Sequence, residues 1–301
     1  MRALSSLKSI IPSHKKTVAV ANAADASVLA AVKAAMDQQV CHFILVGNKT
    51  DISAAALHAG LDVMQPGLEI RHMADTDKAA REAVAAVKNR EAELVMKGNL
   101  PTKNLLSAVL DKDAGLRTGK ILSHLALFEI PALDRLVLLS DAALNIQPNL
   151  KEKQHIIQNA KEAAKAIGIP IPRIALLAPV ETVNESMQST MDAAMLTQMN
   201  RRGQISGCII DGPLAFDAAI SRKAAEQKGI DSEVAGMADV LVVPTIDAGN
   251  MLYKSFIYVG GAKVASIVTG AKAPVVLTSR ADSADSKLHS LTLGLAVANK
   301  T

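Results

Sequence analysis

The stretch TVAVANAADASVLAAVKAAMDQQVCHFILVG, residues 17–47, determines the fold class of this chain. It opens with a short β-branched run. It continues with an Ala-rich segment, 27–39, whose apolar residues fall on one face of a helix, and it closes in a second apolar run. A helix that joins two apolar strands is typical of a βαβ unit, in which helices cover parallel strands. The stretch therefore predicts an α/β protein.

The same alternation continues along the chain, interrupted only by a less regular stretch at 111–134. A second helix of this kind is predicted over 77–90. The further predicted strands are LEIRHM (68–73), ELVMKG (93–98), RLVLLS (135–140), RIALLAPV (173–180), GCIIDGP (207–213), DVLVVP (239–244), KVASIVTG (263–270) and PVVLTS (274–279). Because 301 residues exceed the usual single core of about 100 to 200 residues, we expect two α/β/α domains with mainly parallel sheets.

Composition narrows the class of protein. The chain is 50% hydrophobic but only 2% aromatic, so Ala, Val, Ile and Leu must build the core. A net charge of +4 without a block of one sign, together with few aromatic residues, argues against nucleic-acid binding. The first residues contain no apolar run of signal-peptide length, and no later run has the length of a membrane span. A cytoplasmic protein without a membrane partner is therefore expected.

Several common signatures are missing from the sequence. It contains no GxxxxGK[ST] phosphate loop, no GxGxxG after the first strand, no GxSxG elbow and no HExxH. Cys41 and Cys208 have no partner at metal-ligand or redox spacing, so we predict reduced core residues and no metal site.

The segment LTSRADSADSK, 277–287, is the most informative of the polar segments at strand ends. Ser279 and Arg280 leave an apolar strand just before a helix, where unsatisfied backbone N–H groups favour an anion and an arginine can bind phosphate with two hydrogen bonds. The alternative is an ordinary capped helix start, with Asp282 or Ser283 as the N-cap.

Two other segments suggest phosphate contacts. In GLRTGKILSH, Arg117, Lys120 and His124 cluster around glycines that permit close backbone approach. Lys97 ends a predicted strand, so its ammonium is expected at the carboxyl edge of the sheet. The alternatives are solvated surface cations and a structural histidine.

Two segments read first as turns. We interpret Asp211 in IIDGPL as a turn residue and Asp217 as a helix start, with a role in shaping a cleft as the alternative. Gly249 and Asn250 in DAGN are also typical of a turn, with ligand contact as the second interpretation.

Five segments taken in order resemble the phosphate acetyltransferase and phosphate butyryltransferase family, and the butyryl branch more closely. They are VMKGNLPTKNLLSAVL (95–110), GLRTGKILSHLALFEIP (115–131), SDAALNIQPNLKEKQ (140–154), VAGMADVLVVPTIDAGNMLYK (234–254) and GAKAPVVLTSRADSADSKL (270–288). IIDGPLAFDAA (209–219) occupies the expected place between them. The resemblance begins at about residue 93 and runs nearly to the C-terminus, whereas the first 90 residues match only in their βα pattern.

The resemblance implies a fold like that of isocitrate and isopropylmalate dehydrogenases, with the active site in the cleft between two domains. It implies a first domain of residues 1–135 plus 274–301 and a second domain of residues 136–273 that is expected to form a homodimer or larger assembly.

The resemblance also implies a transferase that moves an acetyl to butyryl group between coenzyme A and inorganic phosphate. Coenzyme A is then a substrate, and no cofactor is bound permanently. The thiolate attacks the acyl phosphate directly in a ternary complex, so neither cysteine is needed.

Site residues follow from the matched motifs. Ser279 and Arg280 match the family's Ser-Arg pair, which stabilises the reacting centre. Ser286 stands near the place of the acetyl-type base, which leaves Asp285 as the first candidate for the base and Asp282 as the second. Phosphate or coenzyme A contacts are expected from Lys97, Arg117, His124, Asn250 and Lys287.

Two alternatives remain open at this point. One is a catalytically silent subunit that binds coenzyme A or serves assembly. The other is a metal-dependent decarboxylating dehydrogenase of related fold, for which the sequence shows no carboxylate cluster and no cofactor loop.

Overall fold

The computed structural model describes residues 2–11, 16–277 and 283–298. Its strands are β1 (Lys16–Ala21), β2 (Cys41–Gly47), β3 (Leu68–His72), β4 (Leu94–Lys97), β5 (Ser123–Glu129), β6 (Leu136–Ser140), β7 (Arg173–Leu177), β8 (Ile209–Leu214), β9 (Val240–Val242), β10 (Lys263–Thr269) and β11 (Val275–Val276). Its helices are α1 (Ala26–Asp37), α2 (Lys49–Ala59), α3 (Thr76–Lys88), α4 (Thr102–Val109), α5 (Leu150–Ala166), α6 (Gln188–Arg201), α7 (Phe216–Ile220), α8 (Arg222–Gln227), α9 (Ile246–Tyr258) and α10 (Ala284–Ala298), and a 3-10 helix spans Leu4–Ile10. This alternation confirms the predicted α/β class.

The chain divides into two compact units. The first unit comprises Ser5–Lys120 and Ala265–Thr301, and the second comprises Met1–Leu4 and Ile121–Val264. The family resemblance instead predicted domain boundaries at 135/136 and 273/274. The pairing of strands explains the first difference, because β5 pairs antiparallel with β6 and therefore belongs to the second unit.

In the first unit, the sheet has the strand order β3-β2-β1-β4-β11-β10. Its pairs are parallel except for β10 and β11. The chain runs from β1 through β2 to β3 at one edge and then returns to place β4 on the other side of β1. The carboxyl ends of β1 and β4 thus form a topological switch point, where doubly wound sheets bind ligands.

In the second unit, the sheet has the order β5-β6-β9-β7-β8, and only β5 and β6 pair antiparallel. Strand β9 inserts between β6 and β7, so its neighbours come from earlier in the chain. The core of this unit contains Phe128 and Phe256, whose rings meet edge to face at 5.1 Å between centroids.

Strand β5 lies within the stretch that the sequence analysis called less regular. Six of its seven residues are buried. A strand covered on both faces shows no alternation of polar and apolar residues, so periodicity did not reveal it.

Two expectations about side chains and membranes can be compared with the structure. Both cysteines are buried and neither forms a disulfide. No helix in the described ranges combines the length and the apolar character that a membrane span requires.

Candidate active site

Backbone hydrogen bonds join the loops that follow β1 and β4 in the first unit. The amide of Gly98 donates to the carbonyl oxygen of Ala21 at 2.9 Å, and the amide of Asn99 donates to that of Asn22 at 2.7 Å. Glycine is required at position 98, because a Cβ atom there would stand 2.2 Å from the carbonyl oxygen of Asn22. The two loops therefore meet at the switch point.

Lys97 is the last residue of β4 and is buried, with 8% of its surface exposed. Its Nζ donates to the carbonyl oxygen of Gly98 at 3.3 Å. The structure thus places this ammonium at the carboxyl edge of the sheet, as the strand pattern predicted.

Asn22 is a residue of this edge that the sequence analysis missed. It directly follows β1 in a left-handed backbone conformation, with φ 52°, and its side-chain amide donates to the carbonyl oxygen of Asn99. The available signal was an asparagine immediately after a β-branched run, since asparagine tolerates this conformation better than most residues.

Helix α10 packs against α1, β4 and β11. Its first turn carries Lys287, which is only 1% exposed. A buried ammonium requires compensating negative charge, and Asp25, the N-cap of α1, lies within electrostatic range of Lys287. The sequence suggested Lys287 as a ligand contact but did not indicate its burial or its proximity to Asp25.

The carboxylate of Asp25 also caps α1. Its Oδ1 accepts hydrogen bonds from the Ser27 hydroxyl at 2.7 Å and from the amides of Ser27 and Val28 at 2.9 and 3.0 Å. Burial by itself raises the pKa of Asp25. The hydrogen bonds and the charge of Lys287 outweigh that effect and hold the pKa below its ordinary value.

Three of the predicted catalytic residues, Ser279, Arg280 and Asp282, lie outside the described residues. Ser283 directly precedes helix α10, and its hydroxyl oxygen accepts a hydrogen bond from the Ser286 amide at 3.1 Å. Ser283 is therefore the N-cap of α10, as one sequence interpretation proposed. Asp285, in the first turn of α10, is exposed.

Arg117 is exposed on the loop between α4 and β5. The Lys272 amide donates to the carbonyl oxygen of Leu116 at 2.8 Å, and the Thr118 hydroxyl donates to the carbonyl oxygen of Gly270. These bonds hold the residues on either side of Arg117 against the turn between β10 and β11.

In the second unit, the backbone of His124 is fixed by the end of β6. Its amide donates to Oδ2 of Asp141 at 3.2 Å, and its carbonyl oxygen accepts from the Ser140 hydroxyl at 2.9 Å. All three residues are buried, with 7% exposure for His124, 2% for Asp141 and none for Ser140. The backbone of His124, the second residue of β5, is thus held by hydrogen bonds on both of its polar groups.

Asp141 organises the loop that follows β6. Besides the His124 amide, its carboxylate accepts from the amides of Ala143 and Leu144 at 2.8 and 2.9 Å and from the side-chain amide of Asn145 at 2.5 Å. The segment SDAALN lies within a matched family motif, but the sequence did not indicate a role for Asp141. An aspartate followed closely by an asparagine at a strand end was the available signal.

Asn250 is exposed on α9, and its side-chain amide donates to the carbonyl oxygen of Ala142 at 3.3 Å. The turn predicted for Gly249 and Asn250 is wrong, because both lie in the first half of α9. Gly249 is explained by packing, since a Cβ atom there would stand 2.3 Å from the carbonyl oxygen of Asp141.

The turn predicted at Asp211 is also wrong. Asp211 lies within β8, paired with Ala175 of β7. Asp217 does lie at a helix start, in the first turn of α7, and forms an ion pair with Lys228 at 3.0 Å.

The predicted contacts therefore divide between the units. Lys97 and Lys287 belong to the first unit: Lys97 ends β4, and Lys287 lies within electrostatic range of Asp25 in the loop after β1. Arg117 projects from a separate loop of that unit. His124 and Asn250 belong to the second unit, where both bond to the segment 140–142. Within the described ranges, no group of three His, Cys, Asp or Glu side chains is arranged to hold a metal ion.

Comparisons with known proteins agree along the length of the chain. The family model described as "Phosphate acetyl/butaryl transferase" matches residues 3–80 and 67–294. A probable phosphate butyryltransferase from Bacillus subtilis (strain 168) is 50% identical over 283 residues, which covers 94% of this chain and 93% of the relative.

Solved structures give the same picture. A branched-chain phosphotransacylase from Enterococcus faecalis V583 superposes with a TM-score of 0.83 at 35% identity, covering 95% of this chain and all of that one. A 4-hydroxythreonine-4-phosphate dehydrogenase from Klebsiella pneumoniae reaches a TM-score of 0.50 at 12% identity, with 94% and 99% covered. The dehydrogenase-like part of the fold prediction is thus matched only weakly.

Proposed function

This chain belongs to the phosphate acetyl/butyryl transferase family, and we propose that it transfers a short acyl group, acetyl to butyryl, between coenzyme A and inorganic phosphate. The family match and the 50% identity to a probable phosphate butyryltransferase support the activity. The distribution of buried positive charge in the first unit supports the binding of anionic substrates.

In the proposed reaction, acyl-CoA and phosphate interconvert with acyl phosphate and coenzyme A. Toward the thioester, the coenzyme A thiolate attacks the acyl carbon and forms a C–S bond. The C–O bond to phosphate breaks, and phosphate leaves with that electron pair. A carboxylate takes the thiol proton.

A direct transfer agrees with the state of the two cysteines. Burial raises the pKa of the Cys41 thiol and of the Cys208 thiol, so both remain protonated at neutral pH. Neither is suited to carry an acyl group, and the thiolate that reacts is that of coenzyme A.

The observation that carries the proposal is the placement of Lys97 and Lys287 around the ends of β1 and β4. Both are buried, with 8% and 1% exposure, and a charge in a water-poor environment acts more strongly on an anion than a solvated charge does. We assign to them the binding of phosphate and the stabilisation of developing oxyanion charge. The capped N-terminus of α10 adds backbone N–H groups, whose partial positive charge also favours an anion.

The remaining roles follow the family motifs. Ser279 and Arg280 bind the reacting phosphate and carbonyl groups. Asp285 is the proposed base, with Asp282 as the second candidate, and the exposure of Asp285 gives it access to a thiol. A contact with phosphate or coenzyme A is proposed for Arg117, His124 and Asn250.

A preference for butyryl over acetyl is part of this proposal, since the 50% identical relative from Bacillus subtilis is named for butyryl transfer. One methylene in an apolar pocket is worth about 1 to 3 kcal/mol, so the preference is set by a few side chains. The silent subunit and the dehydrogenase are not favoured, because the family description and the 50% identical relative both name transferases.

The cytoplasmic location remains a prediction from the sequence, and the homodimer or larger assembly remains a prediction from the family resemblance. Light scattering coupled to size-exclusion chromatography tests the assembly, and a mass of one chain, 31.5 kDa, would contradict it.

The activity is tested by following thiol release from acetyl-, propionyl- and butyryl-CoA with and without inorganic phosphate. We expect phosphate-dependent release that Arg280→Ala abolishes. We also expect Lys97→Met and Lys287→Met to raise the KM for phosphate, because each removes one buried positive charge.

Lys103→Met is the matched control. Lys103 is an exposed lysine in the first turn of α4, so its removal changes the net charge by the same amount without emptying a buried position. If Lys103→Met raises the KM as much as Lys97→Met does, the effect is one of overall charge, and the assigned role of Lys97 is wrong. Coenzyme A binding without any release would support the silent subunit.

A further inference from the structure

The aromatic residues of the second unit form a row that ends at His124. The ring of His124 meets that of Tyr253 edge to face, with 5.8 Å between centroids and 64° between planes. Tyr253 meets Phe128 at 5.4 Å, and the row continues through Phe256 to Phe216. In a chain with four phenylalanines, two tyrosines and no tryptophan, this row uses most of the aromatic side chains.

Tyr253 contacts two positions on one face of β5. His124 and Phe128 are four positions apart, and the side chains of a strand alternate between its faces, so the two point the same way. The tyrosine ring therefore contacts both the imidazole of His124 and the core residue Phe128 on that face of β5.

Two contacts, one turn before Tyr253, hold helix α9 against the loop that follows β6. Gly249 allows the helix to approach the carbonyl oxygen of Asp141, and the Asn250 side chain donates to the carbonyl oxygen of Ala142. Asn250 and Tyr253 are three residues apart and thus lie on one face of α9. The face that carries a proposed substrate contact, Asn250, also carries the ring that meets His124.

The backbone of His124 is fixed at both of its polar groups, by Ser140 and by Asp141. Those bonds do not determine the direction of the imidazole, which rotates about χ1 and χ2. Tyr253 contacts the ring itself. An aromatic edge-to-face contact prefers one orientation, which an aliphatic neighbour of similar size does not impose.

We propose that Tyr253 is a positioning residue that orients the His124 imidazole for its contact with phosphate or coenzyme A. This inference rests on the proposed function, since it presumes that His124 meets a substrate. In this role Tyr253 acts through its ring contact with His124.

The test is a double-mutant cycle on Tyr253 and His124, with kcat/KM for phosphate-dependent thiol release as the readout. Tyr253→Leu removes the ring and is expected to lower kcat/KM about fivefold. Tyr253→Phe keeps the ring and is expected to restore most of that loss. In the His124→Ala background, Tyr253→Leu is expected to have no further effect, because no imidazole is left to orient.

Phe216→Leu is the control for stability. It removes the ring at the far end of the same row, where Phe216 meets Phe256 at 5.6 Å and not His124. It is expected to lower the Tm while leaving kcat/KM unchanged. Equal losses of kcat/KM in the wild-type and His124→Ala backgrounds would overturn the proposal, and so would full activity of His124→Ala.

A second readout separates this proposal from the proposed function. In ¹H–¹⁵N spectra of the imidazole groups, the His124 ring is expected to give one sharp set of signals in the wild type and broadened signals in Tyr253→Leu. That result would support the orientation even if the wild type showed no acyl transfer. Identical sharp signals in both proteins would overturn it.

Discussion

Gly98 lies so close to Asn22 that a Cβ atom at position 98 would stand 2.2 Å from the carbonyl oxygen of Asn22. The obstacle is backbone, which cannot rotate away as a side chain does. Since Asn22 directly follows β1 and Gly98 directly follows β4, this contact sets the separation of the two loops at the switch point of the first unit.

Gly98→Ala is therefore expected to destabilise the protein by about 1 to 3 kcal/mol and to lower kcat/KM for phosphate-dependent thiol release. Gly203→Ala is the control. Gly203 has φ 75° and open space around its Cβ position, so alanine there costs about 1 kcal/mol of backbone strain outside the candidate site. Denaturant unfolding and steady-state kinetics of both variants test this prediction. A loss of kcat/KM in Gly203→Ala would contradict it.

Substitutions distinguish the two roles of Asp25, which are to cap α1 and to place a negative charge near Lys287. Asp25→Ser keeps a side-chain oxygen for the cap of α1 but removes the charge near Lys287. It is expected to lower the Tm, because the buried ammonium loses its compensating charge, and to raise the KM for phosphate, because Lys287 loses a group that holds it in place. Asp25→Ala removes the cap as well and is expected to cost about a further 1 kcal/mol. Equal KM values for wild type and Asp25→Ser would refute a role for the charge.

The depressed pKa of Asp25 predicts the sign of a pH effect. A carboxyl whose pKa is lower in the folded state stabilises the protein above its unfolded value, 3.8, and loses that contribution as the pH falls through the folded value. The stability of wild type relative to Asp25→Asn is thus expected to be constant near neutral pH and to shrink below about pH 4. Urea unfolding of both proteins across this range provides the measurement, and a difference that grows on acidification would show the sign to be wrong.

Asp141 is expected to be essential for the stability of the second unit. Its carboxylate accepts hydrogen bonds from four N–H groups, and truncation leaves buried donors without an acceptor. Because an unsatisfied buried donor costs about 1 to 3 kcal/mol, Asp141→Ala is expected to lose at least about 3 kcal/mol. Asp134→Ala, at a side chain that is 79% exposed, serves as the comparison and is expected to change the stability little. Similar unfolding midpoints for the two variants would contradict this role.

The choice of base is tested by Asp285→Asn. If Asp285 accepts the thiol proton, this change is expected to lower kcat about a hundredfold or more and to flatten the acidic side of the pH–rate profile, while the KM for coenzyme A changes little. Asp282→Asn is run beside it as the second candidate. If Asp285→Asn keeps the pH–rate profile of the wild type while Asp282→Asn lowers kcat, Asp282 is the base.

The sequence by itself determined the elements and the family. The apolar run 41–47 coincides with β2, and the other runs fall on strands, because strand and helix periods are local properties of the chain. The ordered motifs after residue 93 identified the family, and the family model matches on both sides of that point. The local pattern did not predict β5, in which nearly every residue is buried. It also predicted a turn at Asn250, where turn-like residues lie in the first half of α9.

Only the tertiary structure decided which loops meet. That β4 returns to the side of β1, and that β9 inserts between β6 and β7, depends on pairing between strands distant in sequence. The burial of Lys287, the charge of Asp25 beside it and the ring of Tyr253 against His124 follow from that pairing. A lysine in a polar segment reads as a surface residue, since the sequence carries its charge but not the neighbours that cover and compensate it.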